Sequence, residues 1–309
     1  MQIIRNYKNI PDQAKNSVLA LGNFDGVHLG HLEILKEVLK IAKAENKKTA
    51  IMTFSPHPLE FFSKNKKVQL FSFQDKIQFF QDLGIDYLFI VKFNQEFANV
   101  TAANFVSDIL VKHLKVSSIV MGYDFIFGKN RQGNAEFLKN KSSKHGFGFS
   151  QITSYKSSNY NLVYSSTEIR KALEQGDIQK VNNLLGKNYF ISNRVIGGDN
   201  RGAGLGFRTA NLKIDNLHLP KFGVYAVKLC YQNKYYEAVA NLGVKPTFAQ
   251  NKPNLEVHIF NFSEDLYGQK VKVAFIDFIR AEKKFASKEE LIAQIKLDCN
   301  KAKELLNAA

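Results

Sequence analysis

Short apolar runs alternate with longer amphipathic stretches over about the first 186 residues of the chain. The first run, at residues 17–21, is followed by a glycine-rich loop and then by apolar residues at helical spacing, beginning at Leu32. The alternation continues with strands predicted at 48–54, 85–91, 118–121 and 149–153, and helices predicted at 74–83, 104–114 and 135–144. Strands that alternate with helices of this length predict an α/β domain with a parallel sheet and helices on its faces.

After Gly186 the pattern changes to short strand-like runs without helices between them. Glycine, asparagine and proline residues separate these runs, which lie at 223–229, 235–240, 255–260 and 271–276. This pattern is typical of an antiparallel barrel or sandwich. The chain ends in a predicted helix at 287–306, where Ser287 and Glu290 have the spacing of a capping box. The pattern thus predicts two domains, residues 1–186 and residues 187–309.

Composition narrows the class of protein. The chain has 309 residues, 45% of them hydrophobic, and a formal charge of +15 that is spread over both predicted domains. This is a globular composition. The charge suits an anionic partner, which would be nucleic acid, a membrane surface or phosphorylated small molecules, but a solvated lysine-rich surface is the plainer interpretation of most of it. Two cysteines exclude a disulfide framework and a four-cysteine zinc site. The N-terminal residues lack the apolar run of a signal peptide, and no run approaches the about 18 residues of a membrane span, so we expect a cytoplasmic protein.

The strongest local signal is the loop between the first predicted strand and the first predicted helix, Gly22-Asn-Phe-Asp-Gly-Val-His-Leu-Gly-His31. In a parallel sheet, ligands bind at this position, and a helix N-terminus offers N–H groups and a positive dipole end to a phosphate. His28 and His31 would share one face of the first helical turn, where imidazoles can donate to a phosphate in a transition state. Taken singly, Asp25 also suits a plain turn and His28 a plain helix start, and a zinc pair would need a third ligand that the nearby sequence lacks.

Polar segments also follow other predicted strands. They are Thr53-Phe-Ser-Pro-His57-Pro58, Gly122-Tyr-Asp124-Phe-Ile-Phe-Gly128 and Ser165-Ser-Thr-Glu-Ile-Arg170. Ser165 and Glu168 fit a capping box, which makes this helix start a second anion site, and the Arg170 guanidinium suits a diphosphate. An ordinary capped helix with a solvated Arg170 explains the same residues.

The second predicted domain begins with a glycine-rich segment at residues 195–212. Its glycines suit a loop that wraps phosphates, but it is not a Walker A loop because no Gly-Lys-Ser/Thr follows. Thr209 and Asn211 bring neutral oxygen ligands that suit Mg²⁺ on a nucleotide, although a β-turn with a satisfied Asn211 is the alternative. Glu256 lies on a predicted strand, where its carboxylate would act as a base toward a hydroxyl group or as a cross-strand ion-pair partner.

Together and in this order, the motifs resemble the prokaryotic bifunctional riboflavin kinase/FAD synthetase family over about residues 15–305. The first part is similar to the FMN adenylyltransferase module of that family, a Rossmann-like parallel-sheet nucleotidyltransferase domain with a His-x-Gly-His signature, here His28-Leu-Gly-His31. The second part is similar to the riboflavin kinase module, a six-stranded Greek-key β-barrel with a C-terminal helix. It carries the segments Gly223-Val-Tyr-Ala, Asn241-Leu-Gly-Val-Lys-Pro-Thr247-Phe, Glu256-Val-His-Ile-Phe and Asp265-Leu-Tyr-Gly-Gln. The resemblance implies an enzyme that uses ATP and Mg²⁺ to convert riboflavin to FMN and FMN to FAD.

The resemblance also implies roles for individual residues. His28 and His31 would be catalytic in adenylyl transfer, and Glu256 would be the base for the riboflavin 5′-hydroxyl. The ATP and phosphate contacts of the adenylyltransferase would come from Gly22, Asn23, Phe24, Asp25, Gly30, Ser165, Ser166, Thr167 and Arg170. Its flavin and adenine contacts would come from His57, Pro58, Asp124, Phe125, Phe127 and Arg131. In the kinase, ATP would contact Gly198, Arg201, Gly202, Gly204, Gly206, Thr209 and Asn211, of which Thr209 and Asn211 would also hold Mg²⁺.

Several positions depart from the family pattern. Arg208 stands where the family has proline, and loss of that proline would loosen the Thr209–Asn211 turn by about 0.4–1 kcal/mol unless Arg208 adds a phosphate contact. The other departures are Tyr164 for valine, Asn193 for glycine, Gly197 for histidine and Ala203 for arginine.

Two alternatives follow from these departures and from the charge. One is an FMN adenylyltransferase with an impaired or inactive kinase-like domain, and the other is a basic nucleic-acid-binding protein, although an RNA-binding signature is absent from the sequence. The main interpretation expects the small-molecule partners ATP, riboflavin and FMN, no nucleic acid or membrane partner, and a monomer or weak homo-oligomer.

Overall fold

The structure is a computed structural model that describes residues 1–63, 67–153, 163–197, 207–214, 216–245 and 252–308. The chain divides into two compact units. The first consists of Met1–Gln69 and Phe73–Ser165, and the second of Leu70–Ser72 and Ser166–Ala309. The boundary predicted after Gly186 lies between a helix that ends at Leu185 and a strand that begins at Phe190. The second unit therefore includes two helices that the prediction assigned to the first domain.

The first unit is built on a six-stranded sheet. Its strands are β1 (Gln2–Ile4), β2 (Val18–Leu21), β3 (Thr49–Ser55), β4 (Tyr87–Lys92), β5 (Ser118–Gly122) and β6 (Gly148–Ile152). They lie in the order β1-β4-β3-β2-β5-β6, and every neighbouring pair is parallel. The predicted parallel sheet is confirmed, and β1 is an additional edge strand that is too short to show an apolar pattern.

Helices connect these strands. They are α1 (Leu29–Glu45), α2 (Pro58–Ser63), α3 (Phe73–Asp82), α4 (Gln95–Ala98), α5 (Ala102–Asn104, continuing as a π-helical segment over Phe105–His113) and α6 (Ala135–His145). In α1, Ile34, Leu35 and Val38 recur at helical spacing and pack in one buried cluster with Val18 and Ala20 of β2. This packing holds the N-terminus of α1 close to the end of β2.

The strand order creates a topological switch beside β2. From β2 the chain passes to β3 on one side, and it later returns to β5 on the other side. In Rossmann-like sheets such a reversal leaves a crevice at the carboxyl ends of the two central strands, where ligands bind. The loop at residues 22–28 follows β2, and the segment that starts after Gly122 follows β5. Two of the predicted motifs thus lie at the same edge of the sheet.

The second unit consists of two helices, a closed barrel and a C-terminal helix. Its elements are α7 (Ser166–Gln175), α8 (Ile178–Leu185), β7 (Phe190–Ile196), β8 (Ala210–Lys213), β9 (Gly223–Tyr231), β10 (Lys234–Lys245), β11 (Lys252–Ile259), β12 (Lys270–Ala281) and α9 (Lys288–Asn307). The barrel order is β10-β11-β8-β7-β12-β9, with antiparallel neighbours throughout. Because β12 lies beside β9 while β9, β10 and β11 pair in sequence, this is a Greek-key order. The predicted Greek-key barrel is confirmed, and the sandwich that the strand pattern left open is excluded.

One side chain on α8 explains why the helices before the barrel group with it. The Asn182 amide donates to the Phe275 carbonyl of β12 (3.0 Å) and accepts from the Tyr189 N–H just before β7 (2.7 Å). One bond reaches the backbone of β12, and the other reaches the residue before β7. These two hydrogen bonds therefore attach α8 to the barrel.

Helix α9 covers part of the barrel. Its Cys299, Ala302 and Leu306 lie in one buried cluster with Val224 of β9 and Val239 of β10. The N-cap predicted at Ser287 is confirmed, since its hydroxyl accepts from the Glu290 N–H (3.2 Å). The Glu290 carboxylate reaches back one residue further than in a standard capping box and accepts from the Ala286 N–H (2.9 Å). The barrel domain thus ends in the C-terminal helix that the sequence predicts.

Within the described ranges, no helix combines the length and the apolar character needed to cross a membrane.

Candidate active sites

The loop between β2 and α1 has an unusual backbone conformation. Phe24, Gly26 and Val27 have φ values of 48°, 85° and 42°, all in the left-handed region. Glycine adopts this region readily, whereas the β-branched Val27 is strained there. The Phe24 ring is fully buried and packs against Phe80 at a centroid distance of 5.9 Å. A buried aromatic ring thus anchors a strained loop at the predicted phosphate site.

The two predicted histidines stack at the N-terminus of α1. Their ring centroids are 3.6 Å apart and their planes differ by 19°. His28 is the N-cap of the helix, and its Nδ1 accepts a hydrogen bond from the His31 N–H (3.3 Å). Because Nδ1 is an acceptor, the neutral His28 ring carries its proton on Nε2. The structure thus brings both imidazoles to the positive end of a helix dipole, where anions bind.

Gly30 and Gly22 of the motif lie against the His28 ring and the Phe24 ring, respectively. A Cβ on Gly30 would lie 3.2 Å from His28 Nδ1 and 3.3 Å from the Cβ of Tyr164. A Cβ on Gly22 would lie 3.0 Å from the Phe24 ring. A side chain at either position would therefore displace a ring that shapes the loop or the helix start.

The Asn23 carbonyl joins the loop to two other elements. It accepts hydrogen bonds from the Thr53 hydroxyl of β3 (3.0 Å) and from the Lys76 ammonium of α3 (3.1 Å). The Asn23 side-chain Oδ1 is buried and accepts no hydrogen bond from any residue in the described part of the chain. The backbone carbonyl of Asn23 thus holds the loop in place. A phosphate contact of the Asn23 side chain would have to come from its amide N–H groups, and it stays a prediction.

Lys76 is a site residue that the motifs miss. Burial lowers its pKa to about 8, while the carboxylates of Asp25 and Glu60 oppose the shift by raising it. Asp25 itself is 5% exposed, so it lies inside the protein rather than on a solvated turn. The available signal in the sequence is the position of Lys76 on the apolar side of α3, three residues after Phe73 and four before Phe80.

His57 and Pro58 form the start of α2. The His57 ring is 7% exposed, and its Nδ1 accepts from the Leu59 N–H (3.1 Å). Pro58 is the first residue of the helix, where its fixed φ and missing N–H cost nothing. Both residues therefore have a structural role, and their predicted contact with flavin or adenine stays a prediction.

The predicted flavin and adenine residues after β5 differ in exposure. Asp124 and Arg131 are exposed. Phe127 belongs to the core and lies 5.1 Å from the Phe105 ring, and the half-buried Phe125 stacks on it at 6.3 Å. The burial of Phe127 gives it a packing role, and the ligand contact of this group stays a prediction.

The predicted second phosphate motif lies around the start of α7. Ser165 is the last residue of the first unit, and Ser166 begins the helix in the second unit. Arg170 is half-buried and Thr167 is exposed. The Glu168 carboxylate, which the sequence assigns to a capping box, accepts from the Lys171 ammonium (2.8 Å). The phosphate contacts of these residues stay predictions.

The predicted kinase residues meet on strands β8 and β11 of the barrel. Asn211 and Glu256 are directly opposite each other in the strand register. Their neighbours Leu212 and Leu255 are fully buried, so Asn211 and Glu256 share the opposite face of the two strands. The structure thus brings together the predicted magnesium ligand and the predicted base.

Asn254 links these two residues and was not among the predicted site residues. Its amide nitrogen donates to Asn211 Oδ1 (3.0 Å) and lies 3.3 Å from Glu256 Oε1, to which it also donates. The Asn211 amide in turn donates to the Thr209 carbonyl (3.4 Å). The available signal is that Asn254 lies two residues before Glu256, which places both on one face of a strand.

The oxygen atoms of this cluster suit a magnesium ion. Thr209 and Asn211 offer a hydroxyl and an amide oxygen, which are among the oxygen ligands that Mg²⁺ accepts, and the Glu256 carboxylate lies opposite Asn211. Asn211 is 4% exposed, so its amide is held in place by the protein. The residues present therefore fit the expected Mg²⁺. The predicted contacts Gly198, Arg201, Gly202, Gly204 and Gly206 lie outside the described residues.

The zinc alternative for the histidine pair gains no support. Over the ranges that the structure describes, no group of three or more histidine, cysteine, aspartate or glutamate side chains is arranged to hold a metal ion.

The structure describes the surroundings of three of the departures. The Arg208 carbonyl accepts a hydrogen bond from His258 Nδ1 (2.8 Å) and the Arg208 side chain is exposed, which does not explain the exchange of proline for arginine, since proline has the same carbonyl. The Asn193 amide donates to the Lys213 carbonyl (2.7 Å) and so links β7 to β8. Gly197 has room for a side chain, since a Cβ there would lie 3.7 Å from the Tyr267 ring.

Comparison with known families gives two matches along the chain. The FAD synthetase family matches residues 10–167, and the riboflavin kinase family matches residues 185–306. The first match covers the sheet and its helices, and the second covers the barrel and its C-terminal helix.

Curated relatives match the chain over nearly its full length. The bifunctional riboflavin kinase/FMN adenylyltransferase of Escherichia coli K12 is 38% identical, covering 98% of this chain and 97% of the relative. The protein of that name from Haemophilus influenzae is 39% identical over 100% of both chains. The corresponding Bacillus subtilis protein is 37% identical, covering 95% of this chain and 93% of the relative.

A solved structure shares the same architecture. A protein from Streptococcus pneumoniae, described as a macrolide-efflux protein, has a TM-score of 0.85 and 30% identity, covering 96% of both chains. That description differs from the flavin-enzyme names of both matching families and of the curated relatives over the same residues. On these matches, the chain belongs to the bifunctional riboflavin kinase/FMN adenylyltransferase family.

Proposed function

We propose that the chain makes FMN from riboflavin and ATP in its barrel domain, and FAD from FMN and ATP in its parallel-sheet domain. The observation that carries the second assignment is the stacked His28–His31 pair at the N-terminus of α1, beside the crevice of the sheet. The relatives from E. coli and H. influenzae, which match 98% and 100% of this chain, are named for these two activities.

In adenylyl transfer, an FMN phosphate oxygen attacks the α-phosphorus of ATP. The new phosphorus–oxygen bond forms as the bond from the α-phosphorus to the bridging oxygen breaks, and pyrophosphate leaves with its electron pair. No covalent enzyme intermediate is needed, so the protein acts by positioning and charge stabilisation. His28, through Nε2–H, and His31 donate to phosphate oxygens, and the dipole of α1 stabilises the growing negative charge.

In riboflavin phosphorylation, Glu256 takes the proton of the riboflavin 5′-hydroxyl as that oxygen attacks the γ-phosphorus of ATP. The bond from the γ-phosphorus to the bridging oxygen breaks, and ADP leaves. The Asn254 amide orients Glu256 and Asn211 for this step. Thr209 and Asn211 would hold Mg²⁺, which neutralises charge on the nucleotide phosphates when it is bound.

A product assay tests both activities. The purified chain is incubated with Mg²⁺, ATP and either riboflavin or FMN, and the flavins are separated by chromatography. We expect FMN and FAD from riboflavin, and FAD from FMN. Absence of FAD when FMN is supplied would exclude the adenylyltransferase assignment. FAD from FMN without any FMN from riboflavin would favour the alternative of an inactive kinase-like domain, which Arg208 motivates.

Single substitutions separate the sites. Glu256→Gln is expected to abolish FMN formation and to leave conversion of FMN to FAD unchanged, because the carboxylate belongs to the barrel site alone. Glu264→Gln, which alters an exposed carboxylate of the same unit, is the matched control and should retain both activities. Loss of both activities in a folded Glu256→Gln protein would contradict two independent sites.

We further propose a functional boundary after Gly186, a cytoplasmic location, and a monomer or weak homo-oligomer without nucleic acid or membrane partners. The boundary is supported by the riboflavin kinase match, which begins at residue 185, and by the end of α8 at Leu185. The location suits an enzyme with soluble substrates, and sedimentation of the purified chain would measure its assembly.

A further inference from the structure

We propose that Lys76 is a positioning residue for adenylyl transfer, whose ammonium group holds the Asn23 carbonyl and thereby the loop that binds the ATP phosphates. The inference rests on the adenylyltransferase function proposed for the first domain. Lys76 lies on α3, outside every motif of that site, and it reaches the loop only in the folded protein.

The first support is the hydrogen bonding around one backbone atom. The Asn23 carbonyl receives Lys76 Nζ at 3.1 Å and the Thr53 hydroxyl at 3.0 Å, and Lys76 Nζ also lies 3.4 Å from that hydroxyl. Asn23 precedes Phe24, where the backbone enters the left-handed region. The ammonium therefore bonds to the residue at which the strained turn begins.

The second support is where the ammonium charge lies. The Lys76 ammonium forms no ion pair with a carboxylate of the described residues, and burial lowers its pKa to about 8. Asp25 and Glu60 act on it only at longer range, and the Phe73 ring lies 5.0 Å from Nζ. A buried cation that is directed at a carbonyl favours an anion bound to the same loop.

The third support is the cost of burying this group. Replacing a buried ion pair by apolar side chains of similar volume is often neutral or stabilising, and the Lys76 ammonium has no carboxylate partner among the described residues that its loss would leave unpaired. A lysine that only filled space in this core would therefore be exchangeable for methionine without loss of activity. If Lys76 positions the loop, the same replacement by methionine leaves the protein folded but lowers kcat/KM for ATP in FAD formation.

The experiment compares Lys76→Met, Lys76→Gln and wild type in the full chain. Methionine keeps the length of the stem and removes every donor, whereas glutamine keeps a neutral donor. Lys40→Met is the matched control, because Lys40 lies on α1 with 76% of its side chain exposed. For each protein, kcat and the KM for ATP are measured with FMN, together with riboflavin phosphorylation and the thermal midpoint of unfolding.

We expect Lys76→Met to reduce kcat/KM for ATP in FAD formation by about tenfold or more, the scale of one lost charge-assisted hydrogen bond. Lys76→Gln should recover part of this loss. Riboflavin phosphorylation should match that of wild type in both variants, and Lys40→Met should resemble wild type throughout. The thermal midpoint of Lys76→Met should equal or exceed that of wild type, because the variant no longer buries an ammonium group.

Two outcomes would overturn the inference. One is a Lys76→Met protein with ATP kinetics within about twofold of wild type. The other is a loss of FAD formation that parallels a fall in the thermal midpoint and that glutamine does not relieve, since that pattern marks a purely structural lysine. Failure of wild type itself to form FAD from FMN would instead refute the proposed function, so the two failures are distinguishable.

Discussion

His28 combines two roles at the start of α1. Its Nδ1 caps the helix by accepting from the His31 N–H, and its Nε2 carries the proton that we assign to a phosphate contact. Asparagine is also a strong N-cap but has no imidazole. Substitution at this one residue can therefore separate helix capping from catalysis.

We expect His28→Asn to lower FAD formation from FMN by about 10²–10³-fold, the usual cost of removing one transition-state donor. His28→Ala should show the same kinetic loss and should also lose about 0.5–2 kcal/mol of stability through the missing cap. Steady-state kinetics and urea unfolding measure the two effects, with riboflavin phosphorylation as the internal control. Wild-type rates of FAD formation in His28→Asn would contradict the proposed role.

In the barrel, substitution of Asn254 tests whether its amide orients Asn211 and Glu256. Asn254→Ala removes the donor shared by Asn211 and Glu256, so the magnesium ligand and the base lose their common orientation. We expect riboflavin phosphorylation to fall about tenfold, while FMN adenylylation is unchanged. An Asn254→Ala protein that phosphorylates riboflavin at the wild-type rate would show that Glu256 is oriented without this amide.

At the scale of elements, the apolar pattern predicts the structure wherever it marks a buried strand or the buried face of a helix. It predicts β2 to β5 as short continuous apolar runs, because these strands are buried on both faces, and it predicts helices α1, α3, α6 and α9 from apolar residues at helical spacing. It misses β7 and β8, which enclose the glycine-rich segment. β7 has the polar centre Ser192-Asn193-Arg194 and β8 has only four residues, so their strand character depends on pairing with distant strands.

The contact between α9 and β12 includes a buried ion pair. Arg280 donates to both carboxylate oxygens of Asp298 (2.9 and 2.7 Å), and the Gln294 amide donates to the same carboxylate (2.9 Å). The Asp298 side chain is 6% exposed, so removing it leaves a guanidinium without its partner in a poorly solvated place.

Asp298→Ala is therefore expected to destabilise the second unit by about 3–5 kcal/mol, measured by urea unfolding. The double variant Arg280→Met/Asp298→Leu should recover part of this loss, because it removes both charges together. Equal instability of the single and the double variant would show that packing rather than charge governs this contact.

At the scale of the whole molecule, both units contain a lysine whose pKa is lowered because its ammonium group lies away from water. Burial lowers the pKa of Lys76 in the first unit to about 8. Burial and, secondarily, the neighbouring Lys272 lower the pKa of Lys187 in the second unit to about 7. In the unfolded chain both groups have the ordinary lysine pKa of about 10.4. Their burial therefore ties the stability of the fold to pH on the alkaline side.

Whether pH raises or lowers the free energy of unfolding through Lys76 depends on how many protons the folded and the unfolded chain bind at this residue. Below about pH 8 Lys76 is protonated in both the folded and the unfolded chain, so the full cost of burying the ammonium lowers the stability of the fold. Between about pH 8 and 10.4 only the unfolded chain keeps the proton, so the free energy of unfolding rises with pH by up to about 3 kcal/mol.

Urea unfolding of wild type and Lys76→Met at pH 7.5 and 9.5 tests this linkage. We expect stability to increase more between these pH values in wild type than in Lys76→Met. Parallel changes in the two proteins would show that Lys76 does not lose its proton in this range.

The sequence by itself determined the two domain classes, their order and the family, and it supplied most of the residues to which we assign chemistry. It could do so because periodicity, capping and motifs are local, and each is contained in a short stretch of chain. Only the tertiary structure decided which residues support the sites. Lys76 meets Asn23 across 53 residues, and Asn254 meets Asn211 across 43. The first contact arises from the packing of α3 against the loop that follows β2, and the second from the register of β11 with β8. Local patterns miss both because packing and register join segments that are distant in sequence.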